Sequence, residues 1–320
     1  DLAGGTLDLW PLHVLHPGSS TINLAIDRFA GCRVRRAGTG LRVVSRDTGF
    51  EKRAQHTAEL LADARTALVG SLLEALEIGE PLDIEFWSGV PFGSGLGGSS
   101  ALTVALMGAF EGISPRNLTD VDRVDFVRDV ETRVLGKPAG VQDYYPPLEG
   151  GVHVITFQAG RTTSRRIPAD ADTWEKHLTL FDSGVSHSSG MNNWQILRAR
   201  LEGDLTVAEN LEGVRRAAEA MSEAIQRSDF PRMGEALGKE WQARRRLAPV
   251  VSTPLIECAI AAAVDAGAWG GKACGAGGGG CVVFLSPPDR TVAVRHALSA
   301  VGGGAVVPVR LVEEGLKVRC

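Results

Sequence analysis

Alternating apolar and polar residues mark the first strands: Ile22, Leu24 and Ile26, then Cys32 and Val34, then Leu41 and Val43, with Gly38, Thr39 and Gly40 as a turn signal. Residues 20–48 are therefore expected to form an early antiparallel sheet. At His56 the period changes. Leu61, Leu68, Leu72 and Leu76 fall on one helical face, and Gly79 with Pro81 closes the helix this predicts over 56–78. Leu82, Ile84 and Phe86 then alternate with Asp83, Glu85 and Trp87, a half-buried strand leading into a glycine-rich segment at 91–101. Helices are predicted over 101–110 and 120–135, the second capped by Thr119 or Asp120.

Gly151 and Val152 open a further strand, residues 177–181 read as a buried one, and helices follow near 206–228 and 232–246. Thr253 before Pro254 places a cap and then a proline in the first turn, a start signal for a helix ending at Gly267. A strand over 281–285, a helix over 290–300 and a strand over 305–311 complete an α+β order without regular βαβ repetition. A chain of 320 residues suits two domains, placed at 1–170 and 171–320.

Composition narrows the function classes. At 44% hydrophobic the chain can bury a sizeable core. Its 34 basic and 38 acidic residues show no long run of one sign, so nothing marks a nucleic-acid backbone as partner. Arg244, Arg245 and Arg246 form the one basic cluster and read as a solvated helix end. No stretch approaches the roughly 20 apolar residues of a membrane span. The five cysteines, Cys32, Cys258, Cys274, Cys281 and Cys320, form no CxxC pair, which fits a soluble protein of the reducing cytoplasm. Asp1 falls inside a motif, so the natural chain is expected to begin upstream.

The candidate chemistry starts at Pro91. Gly93, Gly95, Gly97 and Gly98 let backbone N–H groups approach an anion, and the helix that follows adds the partial positive charge of its N-terminus. Two familiar loops compete for this segment. A Walker A loop needs lysine where Ser99 stands, so that reading fails. GxGxxG is matched by residues 93–98, but a dinucleotide site needs an acid about 20 residues on, and Asp120 and Asp122 open a helix after Asn117, Leu118 and Thr119. Other segments rich in glycine and polar residues are DLAGGTLDL at 1–9, GKPAGVQDYYPPLEGGV at 136–152, FDSGVSHSS at 181–189 and KACGAGGGGCVVFL at 272–285.

PFGSGLGGSSAL resembles the second motif of the GHMP kinases, the superfamily of galactokinase, homoserine kinase, mevalonate kinase and phosphomevalonate kinase. The segments at 1–9 and 272–285 resemble the first and third motifs in the same order, and the 136–152 segment resembles the one bearing the catalytic aspartate. The AGGTLDLWP opening, QDYY and FDSGVSHSS resemble the D-glycero-D-manno-heptose 7-phosphate kinases and related sugar kinases.

The resemblance implies the GHMP kinase fold, with an N-terminal domain like ribosomal protein S5 domain 2 and a ferredoxin-like C-terminal domain. It implies ATP and Mg²⁺ as cofactors and a sugar or sugar phosphate as acceptor. Pro91, Gly93, Ser94, Gly95, Leu96, Gly97, Gly98, Ser99 and Ser100 would hold the nucleotide. Ser99 and Glu131 would hold Mg²⁺, a cation served by one carboxylate and one hydroxyl plus phosphate oxygens. Asp143 would be the general base. Gly4, Gly5, Thr6, Asp8, Ser186, His187, Gly277 and Gly278 would contact the acceptor, and Lys137 and Lys272 are the nearest basic candidates for a phosphate. A non-sugar alcohol such as mevalonate or homoserine, or a sensor that binds without turnover, are the alternatives. Carboxylates and amides around the acceptor would favour the sugar.

Overall fold

The structure is a computed structural model describing residues 1–320 apart from Phe92, Asn117, His187, Ser188 and Cys320, and apart from the side chains of residues 120–122 and 189–192. Along the first half run Leu12–Leu15 (α1), Ser20–Leu24 (β1), Gly31–Arg36 (β2), Leu41–Ser45 (β3), Phe50–Ala54 (β4), Thr57–Leu61 (α2), Ala67–Ala75 (α3) and Leu82–Trp87 (β5). Gly98–Glu111 (α4), Asp120–Leu135 (α5), Tyr145–Glu149 (α6), Val152–Gln158 (β6) and Arg161–Ile167 (β7) follow. The second half holds Ala171–His177 (α7), Leu178–Asp182 (β8), Ser189–Leu201 (α8), Leu205–Gln226 (α9), Phe230–Arg244 (α10), Pro254–Asp265 (α11), Gly270–Ala273 (β9), Cys281–Leu285 (β10), Thr291–Ala300 (α12) and Ala305–Val307 (β11).

Three sheets result, ordered β2-β5-β3-β4, β1-β6-β7 and β11-β8-β10-β9. The early antiparallel sheet read from residues 20–48 does not form as such. β1 leaves to pair with β6, β2 pairs with β5, and β3 runs parallel to β5. β3 shows the expected alternation, whereas four successive residues of β1 are buried and none of β2 is; alternation names a buried face and not the neighbour that covers it.

The single helix expected over 56–78 is two. Thr66 Oγ1 donates to the Leu60 carbonyl at 2.8 Å and Asp63 accepts from the Arg65 N–H at 3.0 Å, so local side-chain bonds replace the ladder between α2 and α3. Gly70 then allows close packing, since a Cβ there would lie 3.1 Å from Leu60 Cβ. The strand over 305–311 stops at Val307 because Pro308 has no N–H to donate. Thr253 caps α11 as its sequence indicates, accepting from Ile256 N at 3.3 Å.

Residues after β11 run back across the first half. Asp27 N donates to Arg310 O at 3.0 Å, Gly151 N to Val312 O at 2.7 Å, and Leu316 N to Leu148 O at 3.1 Å. The largest apolar cluster also draws on both halves, joining Leu2, Ile22 and Val154 to Leu180, Met221 and Val283. Among the described residues no helix is long and apolar enough to cross a membrane.

Candidate active site

The loop between β5 and α4 owes its shape to glycine. Gly93, Gly95 and Gly97 take φ of 75°, 75° and 69°, left-handed values that a side chain disfavours. Gly97 caps α4, and no side chain there accepts from the helix's first N–H groups, which leaves them free for an anion. Ser94 and Ser100 are buried, Leu96 packs on the main core, Gly98 opens α4 against Val90, and Pro91 is exposed.

Asp143 lies against this loop: a Cβ on Gly97 would stand 3.6 Å from the Asp143 carboxyl carbon. It belongs to a short 3-10 turn, Gln142–Tyr144, whose Gln142 N donates to Asp8 Oδ2 at 3.1 Å. Gly140 makes room for that approach, since a Cβ there would fall 1.9 Å from Asp8 Oδ2. Asp8 is aimed here because its neighbours Leu7 and Leu9 are plugged into the second core cluster, beside Phe181 and Trp241. Asn23 of β1 completes the group, donating to Gln142 O at 3.3 Å and Asp143 Oδ1 at 3.4 Å.

Burial, reinforced by the nearby Asp8 and Glu131 carboxylates, lifts the Asp143 carboxyl from 3.8 to about 6. Burial also raises Asp8, against the pull of the Gln142 N–H. Two amide oxygens in the group, Asn23 Oδ1 and Gln142 Oε1, are buried with no donor facing them. A cavity of about 940 Å³ opens beside Asp143, Asn23 and Gly97; Leu24, Ile26, Val104 and Val283 make much of its wall, and Asp8 and Thr6 lie outside it.

Ser99 Oγ, in the first turn of α4, donates to Glu131 Oε1 of α5 at 2.8 Å, and the Tyr144 hydroxyl donates to the other carboxylate oxygen. Glu131 is therefore buried, not on a solvated helix face. Burial pushes the Tyr144 hydroxyl upward, with the Glu131 charge adding to it, so it stays a donor. Among the described residues no three His, Cys, Asp or Glu side chains converge as a metal cage. The Ser99–Glu131 pair nonetheless fits Mg²⁺, which needs few protein oxygens when phosphates supply the rest.

The glycine run at 275–280 closes on the same loop. Cys281 N donates to Ser94 O at 2.8 Å, and a Cβ on Gly280 would lie 2.5 Å from that oxygen. Gly275 faces Gly95, whereas Gly277 and Gly278 pack on Val251, with Gly278 N donating to Val251 O at 2.7 Å. Of the proposed acceptor contacts, Gly4, Gly5, Thr6 and Asp8 thus share one loop beside Asp143. Ser186 is exposed, next to a Val185 carbonyl that accepts from Gly280 N, and His187 lies outside the described residues.

Arg244 overturns the reading of the arginine cluster as a solvated helix end. It is 1% exposed, paired with Glu240 at 2.6 Å, and donates to Gly5 O at 2.7 Å and Thr6 Oγ1 at 3.2 Å. The Glu240–Arg244 spacing of four on one helix was the available signal. Lys272 is also fully buried, bonded to Asp1 at 2.9 Å; burial lowers it from 10.5 to about 8, against the pull of Glu240. Lys137 is half-exposed beyond α5.

The model of the GHMP kinases N terminal domain matches residues 63–151 and that of the GHMP kinases C terminal matches residues 221–304, together more than half of the chain. The chain is 29% identical over 236 residues to the D-glycero-alpha-D-manno-heptose 7-phosphate kinase of Campylobacter jejuni, covering 72% of this chain and 68% of that protein. It is 27% identical over 274 residues to the mevalonate kinase of Thermococcus gammatolerans, covering 84% and 78%. The crystal structure of a D-glycero-D-manno-heptose 1-phosphate kinase from Bacteroides thetaiotaomicron shares the fold, with a TM-score of 0.79 at 22% identity over 100% of this chain and 96% of that one.

Proposed function

Since the chain belongs to the GHMP kinase family, we propose that it transfers the γ-phosphate of ATP to a sugar hydroxyl, the anomeric one of a heptose phosphate or a related sugar. The observation that carries this reading is the placement of Asp143 between the α4 loop and Asp8. The nucleotide phosphates take the uncapped N–H groups of the loop. The acceptor hydroxyl lies at Asp143, which accepts its proton as the oxygen attacks the γ-phosphorus and the bond to the β-phosphate oxygen breaks, releasing ADP. Ser99 and Glu131 would hold Mg²⁺, which neutralises phosphate charge when bound. Asp8, with Asn23 and Gln142, surrounds the acceptor with carboxylates and amides, groups suited to several hydroxyls. Unpaired Cys32, Cys258, Cys274 and Cys281 support a cytoplasmic location.

A second reading, a less polar alcohol such as mevalonate, draws on the mevalonate kinase likeness and on the apolar cavity beside Asp143. ADP release with Mg-ATP and a panel of heptose phosphates, hexoses, mevalonate and homoserine separates the two. Release with the heptose phosphates supports the sugar assignment, and release with mevalonate alone replaces it. Thermal stabilisation by sugar and ATP without ADP release would mean a sensor and sink both.

A further inference from the structure

Among the buried charges, one lies outside the chemistry just described and yet touches two of the loops that build the site. The Arg244 guanidinium spans Glu240 on its own helix, Gly5 O and Thr6 Oγ1 of the acceptor loop, and, at 3.5 Å, Gly275 O of the glycine run. Thr6 needs such a hold. Its φ is 74°, a conformation that β-branched residues avoid, so the surrounding contacts must impose it. Leu9 N bonds the Thr6 carbonyl at 3.2 Å, and the side chain is held at Oγ1, which accepts from Arg244 and donates to Asn193 Oδ1 of α8 at 3.0 Å. Gly5 sits where Arg244 and Gln142 meet, since a Cβ there would lie 3.1 Å from Arg244 Nη2 and 3.2 Å from Gln142 Nε2. Asp8 follows Thr6 by two residues and is held at its far side by Gln142 N.

We propose that Arg244 is a positioning residue for the acceptor: through Gly5 and Thr6 it fixes the loop that aims Asp8 at Asp143, and Asn193 completes the hold from α8. This rests on the reading of Asp8 and Asp143 as the acceptor site. Lysine at 244 keeps the charge facing Glu240 but has no planar fork to reach Glu240, Gly5 O and Thr6 together.

Arg244→Lys is therefore expected to raise the acceptor KM about tenfold while the ATP KM moves less than about twofold, because only one of the two substrates loses its preorganised contacts. Thr6→Val, which removes the hydroxyl and keeps the branched shape, should do the same, and Thr6→Ser, which keeps the hydroxyl, should raise the acceptor KM less than Thr6→Val does. An unchanged acceptor KM, or equal rises for acceptor and ATP, overturns the proposal. Should Arg244→Lys fail to fold, the two Thr6 variants decide. Should the wild type turn over no acceptor, the functional reading fails on its own. Amide hydrogen exchange over residues 4–9 then decides: faster exchange in Arg244→Lys, with β1 unchanged, supports the hold, and identical exchange refutes it.

Discussion

Asp143 carries two opposed demands. A general base must be charged to accept a proton, yet burial disfavours the charge and lifts its carboxyl to about 6. Turnover is accordingly expected to fall as pH drops below about 6, and Asp143→Asn should lose at least about 10²-fold in kcat, read from ADP release. Stability moves the other way. A folded-state value above the ordinary 3.8 means the contribution of this group is full below pH 3.8 and is lost as pH rises through about 6. At pH 7.5 the inactive Asp143→Asn protein should therefore melt higher than wild type, and the gap should close toward pH 4. Thr6 is the companion case, a strained conformation costing on the order of 1–3 kcal/mol that the loop retains. Asp143 and Asp8 could be named from motifs alone. Arg244 could not, because a cluster of three arginines reads as solvated until the fold shows that the first of them is covered.

The elements meet the site at their ends. Ser99 opens α4 and Glu131 comes from α5, so any metal affinity depends on how those two helices are set against each other. Glu131→Gln should raise the Mg²⁺ concentration for half-maximal activity by roughly 10- to 100-fold and leave far-ultraviolet circular dichroism unchanged. Gly280 joins the two glycine loops, and Gly280→Ala would press a methyl against Ser94 O at a left-handed φ of 70°. The ATP KM should rise, and stability should fall by about 1–2 kcal/mol in denaturant titration.

Legibility in the sequence followed the same line. The Leu82, Ile84, Phe86 alternation and the Thr253–Pro254 cap are local signals, and both elements formed where expected. β7 carries no apolar period because RTTSRRI has one buried residue in seven, and β9 none because Gly270–Ala273 buries two glycines, Lys272 and an alanine rather than apolar bulk. α8 begins on Ser189 and Gly190, which carry no helical periodicity. The partners of β1 and β2, and β5 beside β3, lie far along the chain, where periodicity cannot name them.

At the scale of the whole molecule, the strands divide near residue 170, β1 to β7 before it and β8 to β11 after, but the apolar core does not. We propose the boundary at 170 as a division of sheets. Because Leu2, Ile22 and Val154 pack with Leu180, Met221 and Val283, the full chain should melt in one transition by calorimetry. Fragments 1–170 and 171–320, expressed apart, should each lack a sharp transition; an independently folded fragment would show that the shared cluster is dispensable.

The returning segment at 308–319 extends this beyond the finished molecule. Its partners are Ala25, Asp27, Leu148 and Gly151, so part of the first half stays uncovered until residues 308–319 have been translated. Leu316 is missing from beneath Gly108 until then. Folding on the ribosome therefore cannot finish half by half in the order of synthesis, and the nascent first half is the stage at which chaperones have apolar surface to bind.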